Sequence, residues 1–411
     1  MAEQWIDIRA ADGSTFKGYL ALPASGSGPG ILLLHEIFGV NASMRNLADY
    51  YAEEGYVVLA PDLLWRVGAG IELADHDGDL DRAMDRYQDF DTNQSIKDSA
   101  DALKALRARP ECTGKVGALG FGPGGKLAYL AAARADVDCA VSYYGVGIEA
   151  EFGEAARIKG PVVFHLAELD RVVPAEVRMQ ITAVFASRPD VELYLYPGCD
   201  HAFAVPERAS FNKSAALIAH SRSIAMFRKF LGPHYDLSSL WDKHTELEFV
   251  TRSAEATMST MVAEPYVNHI PTMTGGVGYH GLLRFYKNHF IPKTPKDTRL
   301  TPISRTIGAD RVVDEMLFCF THDIEIDWML PGVSPTGRYV EIPLVAIVCF
   351  RGDKLYNEHI YWDQASVLVQ IGLLDPKTLP VAGVETARKL VEKSLPSNTM
   401  MARWTESAPK A

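Results

Sequence analysis

The sequence predicts a doubly wound α/β domain followed by a smaller α+β domain. Three observations predict this fold class: a length of 411 residues, an alternation of short apolar and longer amphipathic segments in the first half, and a change of pattern after Gly232-Pro233. One hydrophobic core seldom serves more than about 250 to 300 residues, so two domains are expected. A boundary near residue 235 gives domains 1–235 and 236–411.

The α/β prediction rests on β-rich segments bounded by Gly, Pro or Asp. Strands are predicted at 30–37, 56–62, 115–121, 139–144, 161–168 and 191–197. Amphipathic patterns lie between them and predict helices at 43–54, 79–109, 124–134, 175–187 and 209–231. Such alternation is typical of βα units on a largely parallel sheet.

The second half begins with helical patterns and continues with long strand patterns. Helices are predicted at 240–250, 254–262 and 278–289. Strands are predicted at 299–308, 311–328, 338–351 and 354–362. Helices followed by antiparallel strands indicate an α+β layer, in which a sheet curled around helices encloses a cone-shaped pocket.

Composition and charge restrict the class of partner. A formal net charge of -11 opposes nucleic-acid binding, which needs concentrated Lys and Arg, so a small-molecule substrate is expected. The five cysteines are far apart and have no CxxC spacing, which predicts reduced thiols in a cytoplasmic protein. Residues 1–10 lack the basic and apolar pattern of a secretory signal, and no apolar run approaches the roughly 20 residues of a membrane span.

Four features follow predicted strands of the first domain, where an α/β sheet carries its reactive groups. They are Glu36, the turn at residues 120–125 (GFGPGG), Asp170 and His201. The two last residues come in the order acid then histidine, after the glycine-rich turn. This order favours one shared site over an unrelated surface carboxylate and imidazole.

The first domain resembles the dienelactone hydrolase family. Roughly the first 230 residues carry the resemblance, through the stretches 35–41 (HEIFGVN), 60–63 (APDL), 116–130 and 143–147 (YYGVG) and through the Asp170 and His201 loops. The resemblance implies an α/β-hydrolase fold and a hydrolase that acts on a small lactone or ester. It also implies that Asp170 and His201 are catalytic, that Glu36 lies near the nucleophile, and that Ile37 offers a backbone oxyanion donor.

The glycine-rich turn departs from that family, whose nucleophilic cysteine stands at the third position of G-x-C-x-G-G. Here the position is Gly122, which cannot form an acyl-enzyme, and the next residue is Pro123, which has no N–H to stabilise an oxyanion. Four interpretations remain open: a replacement introduced deliberately, water activated directly by His201, a non-hydrolytic proton transfer, or an inert domain. We interpret Cys199 as a packed residue and not as a displaced nucleophile, and Cys112 and Cys139 as core.

Residues 266–376 resemble the SnoaL-type polyketide cyclases and the related nuclear-transport-factor-2-like group. The polar cluster at 357–363 (NEHIYWD) lies on a predicted strand, whose alternation separates Glu358, Ile360 and Trp362 from His359, Tyr361 and Asp363. We predict that His359, Tyr361 and Asp363 face the pocket, where His359 and Asp363 exchange a proton with the α-carbon of a carbonyl substrate. The alternative is that these residues face solvent or satisfy one another in a core.

Several weaker candidates accompany that cluster: Tyr266, His269 and His322 as polar pocket groups, and Trp328 and Met329 as pocket wall or core. The chain has no HExxH motif, and Gly275-Gly276-Val277-Gly278 lacks a βαβ context, so neither a metal nor a cofactor is expected. The alternatives to a hydrolase are a cofactor-free cyclase or isomerase acting in the second domain, and a ligand-binding pseudoenzyme. A homodimer that pairs through the second domain is a further expectation.

Overall fold

The computed structural model describes residues 4–74 and 78–407. The chain divides into two units, Met1–Tyr235 and Asp236–Ala411. Among the described residues, no helix is both long enough and apolar enough to cross a membrane.

The first unit is built on one eight-stranded sheet. Its strands are β1 (Gln4–Arg9), β2 (Thr15–Ala21), β3 (Gly28–Leu34), β4 (Val57–Pro61), β5 (Cys112–Phe121), β6 (Cys139–Tyr143), β7 (Val162–Ala167) and β8 (Val191–Tyr196). The spatial order is β1-β2-β4-β3-β5-β6-β7-β8. Pairing is antiparallel up to β2–β4 and parallel from β4 to β8, which is an α/β-hydrolase-like arrangement.

Helices alternate with these strands. They are α1 (Ala42–Glu53), α2 (Asp79–Gln88), α3 (Thr92–Arg107), α4 (Pro123–Arg134), α5 (Ala175–Phe185) and α6 (Lys213–Phe230), with a 3₁₀ segment at Ile148–Arg157. Side chains cap several of them: Asn41 accepts from the Met44 N–H, and Asn212 accepts from the Ala215 N–H. Every residue of β3 is buried, as expected of a strand that is covered on both faces.

The six predicted strands of this unit are confirmed, and two differences concern its edges. The hairpin β1–β2 was not predicted, because its short strands carry many exposed polar residues. The single helix predicted at 79–109 is two helices, since Asp91 accepts hydrogen bonds from Asn93 and Gln94 N–H and starts α3 anew.

The second unit has one six-stranded sheet. Its strands are β9 (Met261–His269), β10 (Thr274–Val277), β11 (Arg299–Ile307), β12 (Arg311–Thr321), β13 (Tyr339–Arg351) and β14 (Lys354–Trp362), in the order β10-β9-β14-β13-β12-β11. Only β14–β9 is parallel among the pairs of this described sheet. The strand predicted at 311–328 ends at Thr321, and β9 and β10 were not predicted.

The helices of the second unit are α7 (Leu237–Thr245), α8 (Ala254–Met258), α9 (Gly278–Phe285), α10 (Gln364–Ile371) and α11 (Glu385–Val391). Two of them continue as π-helical turns, α7 through Glu246–Thr251 and α9 through Tyr286–Phe290. The residues Thr405–Ser407 form a 3₁₀ turn. The unit is therefore α+β: α7 and α8 precede the strands, α9 lies between β10 and β11, and α10 and α11 follow β14.

Candidate functional site

Gly122 forms the turn between β5 and α4. Its φ of 56° and ψ of −120° belong to a region that glycine adopts readily and other residues rarely adopt. Its N–H donates to the Tyr143 carbonyl at 3.0 Å, and its own carbonyl accepts from the Gly125 N–H at 2.9 Å. Pro123 begins α4 and has no N–H. The turn thus offers no side chain at 122 and no amide donor at 123.

Asp170 and His201 come from two loops and lie together beside this turn. His201 Nδ1 is 2.8 Å from Asp170 Oδ2. The other carboxylate oxygen, Oδ1, accepts from the Val172 and Val173 N–H groups at 2.8 and 2.9 Å. Because the ionised Asp170 only accepts, Nδ1 carries the hydrogen and Nε2 presents a lone pair. The aspartate therefore orients an imidazole that is ready to take up a proton at Nε2.

The lone pair of His201 faces the turn. A Cβ atom built on Gly122 would lie 3.6 Å from His201 Nε2, and no other described atom beyond the neighbouring residues comes within 4 Å of it. A side chain at 122 would therefore reach the imidazole. With glycine there, the same space accommodates a small group such as water.

Glu36 and Ile37 lie in the loop after β3. Glu36 is buried, and its Oε2 atom is 3.9 Å from Arg208 Nη1. The Arg208 guanidinium also stacks 4.5 Å from the centre of the Phe38 ring. Ile37 packs beside Phe38 and is half-buried. The loop thus brings a carboxylate and a guanidinium to one place, and the sequence did not single out Arg208.

Tyr144 is a second residue of this region that was not singled out. It follows β6, has a φ of 38°, and its ring centre lies 4.8 Å from that of His201. Its hydroxyl is buried and has no hydrogen-bond partner among the described residues. Burial, and next the nearby Glu36 carboxylate, raise the pKa of this hydroxyl well above its usual value. A neutral phenol is therefore available as a hydrogen-bond donor.

The cysteines of the first unit are packed residues. Cys112, Cys139 and Cys199 are free and buried, which confirms the interpretation of Cys112 and Cys139 as core. Burial raises the pKa of Cys199 and that of Cys139 above the usual value for a thiol. A protonated, enclosed thiol is a poor nucleophile, so Cys199 does not replace the missing side chain at 122.

The second unit contains a small cavity of about 40 Å³. Most of its wall is apolar or aromatic and comes from the helical segments and the sheet. The lining residues are Trp241, Thr245, Glu248, Phe249, Val267, His269, Tyr286, Phe290, Leu300, Met316, Phe318, Trp328, Leu344, Ala346, Glu358 and Ile360. A cavity of this size admits only a few water-sized groups, although a few polar groups in an apolar wall are typical of a ligand site.

The predicted pocket face of β14 was the wrong one. Tyr361 is 40% exposed, Asp363 is also exposed, and His359 is half-buried beside Tyr266. Asp363 caps α10 by accepting from the Ala365 and Ser366 N–H groups. Glu358 and Ile360, on the opposite face, line the cavity. Alternation was predicted correctly, but only the packing of the sheet decides which face points inward.

Two buried carboxylates in the cavity wall, Glu248 and Glu358, meet His244 behind it, and we call these three side chains the His–Glu cluster. His244 Nε2 lies 3.3 Å from Glu248 Oε1 and 3.1 Å from Glu358 Oε1. Burial by itself would lower the pKa of His244, but Glu358 and Glu248 outweigh it and raise the pKa to about 10. Burial raises the pKa of Glu248. The cluster thus holds excess negative charge and stabilises a positive charge at Nε2.

The remaining candidates of the second unit fall into two groups. His269 and Trp328 line the cavity, while Tyr266 and His322 do not. Burial lowers the pKa of His269 to about 4, so its imidazole is neutral near pH 7. Met329 is fully buried, in agreement with its interpretation as core.

The His–Glu cluster was missed in the sequence, although one signal was present. His244 and Glu248 are four residues apart in a predicted helix, a spacing that places two side chains on one face. Glu358 was seen but assigned to the wrong face. Among the described residues, this cluster is the one group of His, Cys, Asp and Glu side chains that could hold a metal ion, with its ligand atoms within 4.8 Å of one another.

Comparison with known proteins concerns the first unit. Residues 16–231 match the model of the Dienelactone hydrolase family. A relative named "Putative carboxymethylenebutenolidase" from Azospirillum brasilense is 40% identical over 230 residues, which cover 55% of this chain and 99% of that protein. The carboxymethylenebutenolidase of Pseudomonas putida is 36% identical over 234 residues, which cover 57% of this chain and 98% of that protein. A solved structure described as a "Putative Dienelactone Hydrolase" from Klebsiella pneumoniae matches at 25% identity with a TM-score of 0.49, over 56% of this chain and all of that one.

Proposed function

Because the chain belongs to the dienelactone hydrolase family, we propose that its first unit hydrolyses a small lactone or ester, with water activated directly by His201. One observation carries this proposal: the lone pair of His201 Nε2 faces the space where a side chain at 122 would begin, 3.6 Å away. Relatives named carboxymethylenebutenolidase support a lactone as the substrate class. Glu36 and Ile37 are proposed site residues, as carboxylate and backbone donor.

In the proposed reaction a water molecule occupies the space beside Gly122. Its oxygen attacks the carbonyl carbon while His201 Nε2 takes its proton, and the imidazolium then gives that proton to the leaving oxygen as the C–O bond breaks. Asp170 holds the imidazole in the required tautomer. No covalent intermediate forms on the protein, because position 122 has no side chain.

The absent amide at Pro123 makes this hydrolase slow in our proposal. Loss of one oxyanion donor costs roughly 10²–10³ in kcat. The Tyr144 hydroxyl, buried and neutral beside His201, is a candidate donor to the developing oxyanion. The Ile37 N–H is the other candidate, as the family resemblance suggests.

The test is hydrolysis of a panel of lactones and aryl esters by the unaltered chain, His201→Ala and Gly122→Cys. We expect the unaltered chain to turn over and His201→Ala to lose about 10²–10⁴ in kcat/KM. Cys199→Ala is the matched control and should keep full activity. Activity that appears only in Gly122→Cys would overturn the proposal, since it would show an inert first unit with an intact acid–histidine pair.

A second candidate function belongs to the second unit, which we propose to be a SnoaL-like or nuclear-transport-factor-2-like domain that takes a small, mostly apolar carbonyl compound. The observation that favours it is the aromatic cavity with two buried carboxylates in its wall. Glu358→Gln should abolish any isomerase or cyclase activity, whereas Tyr361→Phe should not. Equal loss of activity in Glu358→Gln and Tyr361→Phe would contradict this second candidate function.

The protein is also proposed to work in the cytoplasm. Its five cysteines are all free, as expected of a reducing compartment. A homodimer remains a proposal that light scattering would test by the mass of the full chain.

A further inference from the structure

The His–Glu cluster joins two structural elements around one imidazole nitrogen. His244 lies at the end of α7, Glu248 follows in the π-helical turn Glu246–Thr251, and Glu358 projects from β14. The His244 side chain is fully buried, and the two glutamates are each 4% exposed. Three ionisable side chains are therefore enclosed together, away from bulk water.

The orientation of His244 is determined by Thr260. The Thr260 hydroxyl donates to the Thr257 carbonyl at 2.7 Å, so it can accept from His244 Nδ1–H, 2.6 Å away. This bond directs Nε2 to the two carboxylates. A neutral imidazole would point its lone pair at two negative oxygens, which is repulsive unless a cation lies among the three atoms.

Two of the three distances among the ligand atoms fit a metal ion, and all three atoms lie within 4.8 Å of one another. Zn²⁺ bonds to His nitrogen and carboxylate oxygen are about 2.0–2.2 Å long, so adjacent ligand atoms are about 3.0–3.5 Å apart. Nε2 lies 3.1 Å from Glu358 Oε1 and 3.3 Å from Glu248 Oε1. Glu358 Oε1 is buried, and the groups that interact with Glu358 are His244 Nε2 and the Tyr286 hydroxyl. An ion at this place would therefore replace the Nε2 proton as the partner of the carboxylates.

We propose that His244, Glu248 and Glu358 bind one divalent transition-metal ion, of the class of Zn²⁺ or Mn²⁺. One imidazole nitrogen with two carboxylate oxygens suits these ions better than Ca²⁺, which takes oxygen ligands alone. The inference contradicts the expectation, drawn from the absence of HExxH, that no metal binds. It stands on the geometry of the cluster and does not depend on hydrolysis in the first unit.

The metal faces the cavity in this proposal. Glu248, Glu358 and Tyr286 line the cavity wall, and three protein ligands leave at least one coordination position open. The surrounding wall is aromatic, with Trp241, Phe249 and Phe318 among its members. The cavity of about 40 Å³ leaves room beside the ion for one or two water molecules or an equally small oxygen ligand.

The experiment uses the full chain after treatment with a chelator, titrated with Zn²⁺ and separately with Mn²⁺ by isothermal calorimetry. We expect one ion per chain with micromolar or tighter affinity. Glu358→Gln keeps the size of the side chain and should weaken binding at least about 100-fold, and Thr260→Val about 10- to 100-fold. Glu246→Gln, an exposed residue of the same helical turn, should bind as the unaltered chain does.

Two further measurements keep the result decisive. Co²⁺ bound to the unaltered chain should give the absorption spectrum of a nitrogen–oxygen site, which requires no variant to fold. His201→Ala should leave metal binding unchanged, so that failure of the hydrolase and failure of the metal site are distinguishable. Absence of stoichiometric binding by the folded chain, or binding that Glu358→Gln does not weaken, would overturn the proposal and leave a proton as the cation of the cluster.

Discussion

Each unit places a histidine against carboxylates, but the two arrangements differ in exposure and in charge. His201 meets one aspartate and keeps 18% of its side chain exposed, beside a turn that lacks a side chain. His244 meets two glutamates, is fully buried, and lies behind the wall of a cavity. The first arrangement can exchange a proton with a substrate and water. The second needs a permanent cation, so it resembles a binding centre more than an open acid–base pair.

The difference follows from the partners that each carboxylate has besides the histidine. Asp170 Oδ1 accepts two backbone hydrogen bonds, so only Oδ2 loses its partner if His201 changes. Glu248 and Glu358 depend on His244 for their positive partner. Similar residue types therefore have different consequences: the first unit tolerates loss of its histidine better than the second unit does.

The largest expected effect is on stability. In chelator-treated protein, His244→Ala should lower the free energy of unfolding of the second unit by about 3–5 kcal/mol, because it leaves two buried carboxylates without a cation. His201→Ala should cost less, about 1–3 kcal/mol, because it leaves one buried oxygen of Asp170 without a partner. Urea unfolding followed by tryptophan fluorescence measures both. Equal losses of unfolding free energy in the two variants would show that His244 matters no more to stability than His201 does.

The next effect concerns pH. The pKa of His269 is about 4 in the folded chain and near 6.5 when unfolded, so between these values the unfolded chain binds a proton that the folded chain does not. Stability from this residue is full above pH 6.5 and falls as the pH drops toward 4, by about 2 kcal/mol at pH 5. His269→Gln should show a flatter profile in urea unfolding at pH 7 and pH 5. Identical profiles would show that His269 is not buried in its neutral form.

A smaller effect would sharpen the account of the first site. Pro123→Ala restores a backbone N–H next to Gly122 and should raise kcat for lactone hydrolysis about 10- to 100-fold, with a stability loss of about 0.4–1 kcal/mol. Steady-state kinetics gives kcat, and His201→Ala in the same background should abolish the gain. An unchanged kcat would indicate that the oxyanion is stabilised elsewhere.

The smallest effect tests the face of β14. Asp363→Ala should cost about 1 kcal/mol through loss of the cap on α10, with Zn²⁺ affinity unchanged. Asp363→Asn keeps a capping oxygen and should cost less. Calorimetry and urea unfolding check both. A loss of metal or ligand binding in Asp363→Ala would show that Asp363 contributes to the pocket.

The sequence predicted the first unit well because its signals are local. Buried strands such as β3 are continuous apolar runs, and the loop residues Asp170 and His201 follow strands in a recognisable order. Helix capping was harder to predict. Asp91 caps the start of α3, so the single helix predicted at 79–109 is divided into two helices. The strands β1 and β10 were missed because they are short and largely or partly exposed, and β9 was missed because its burial does not alternate regularly at its start.

The amino-acid sequence by itself determined the two-part organisation, the α/β pattern, and the loss of a side chain and an amide at Gly122 and Pro123. These depend on residue identity and on contacts close in sequence. Only the tertiary structure decided that Glu358 and not His359 faces the cavity, and that it meets His244 more than a hundred positions earlier in the chain. Alternation along a strand defines two faces, but which of them is buried depends on the helices that pack against the sheet.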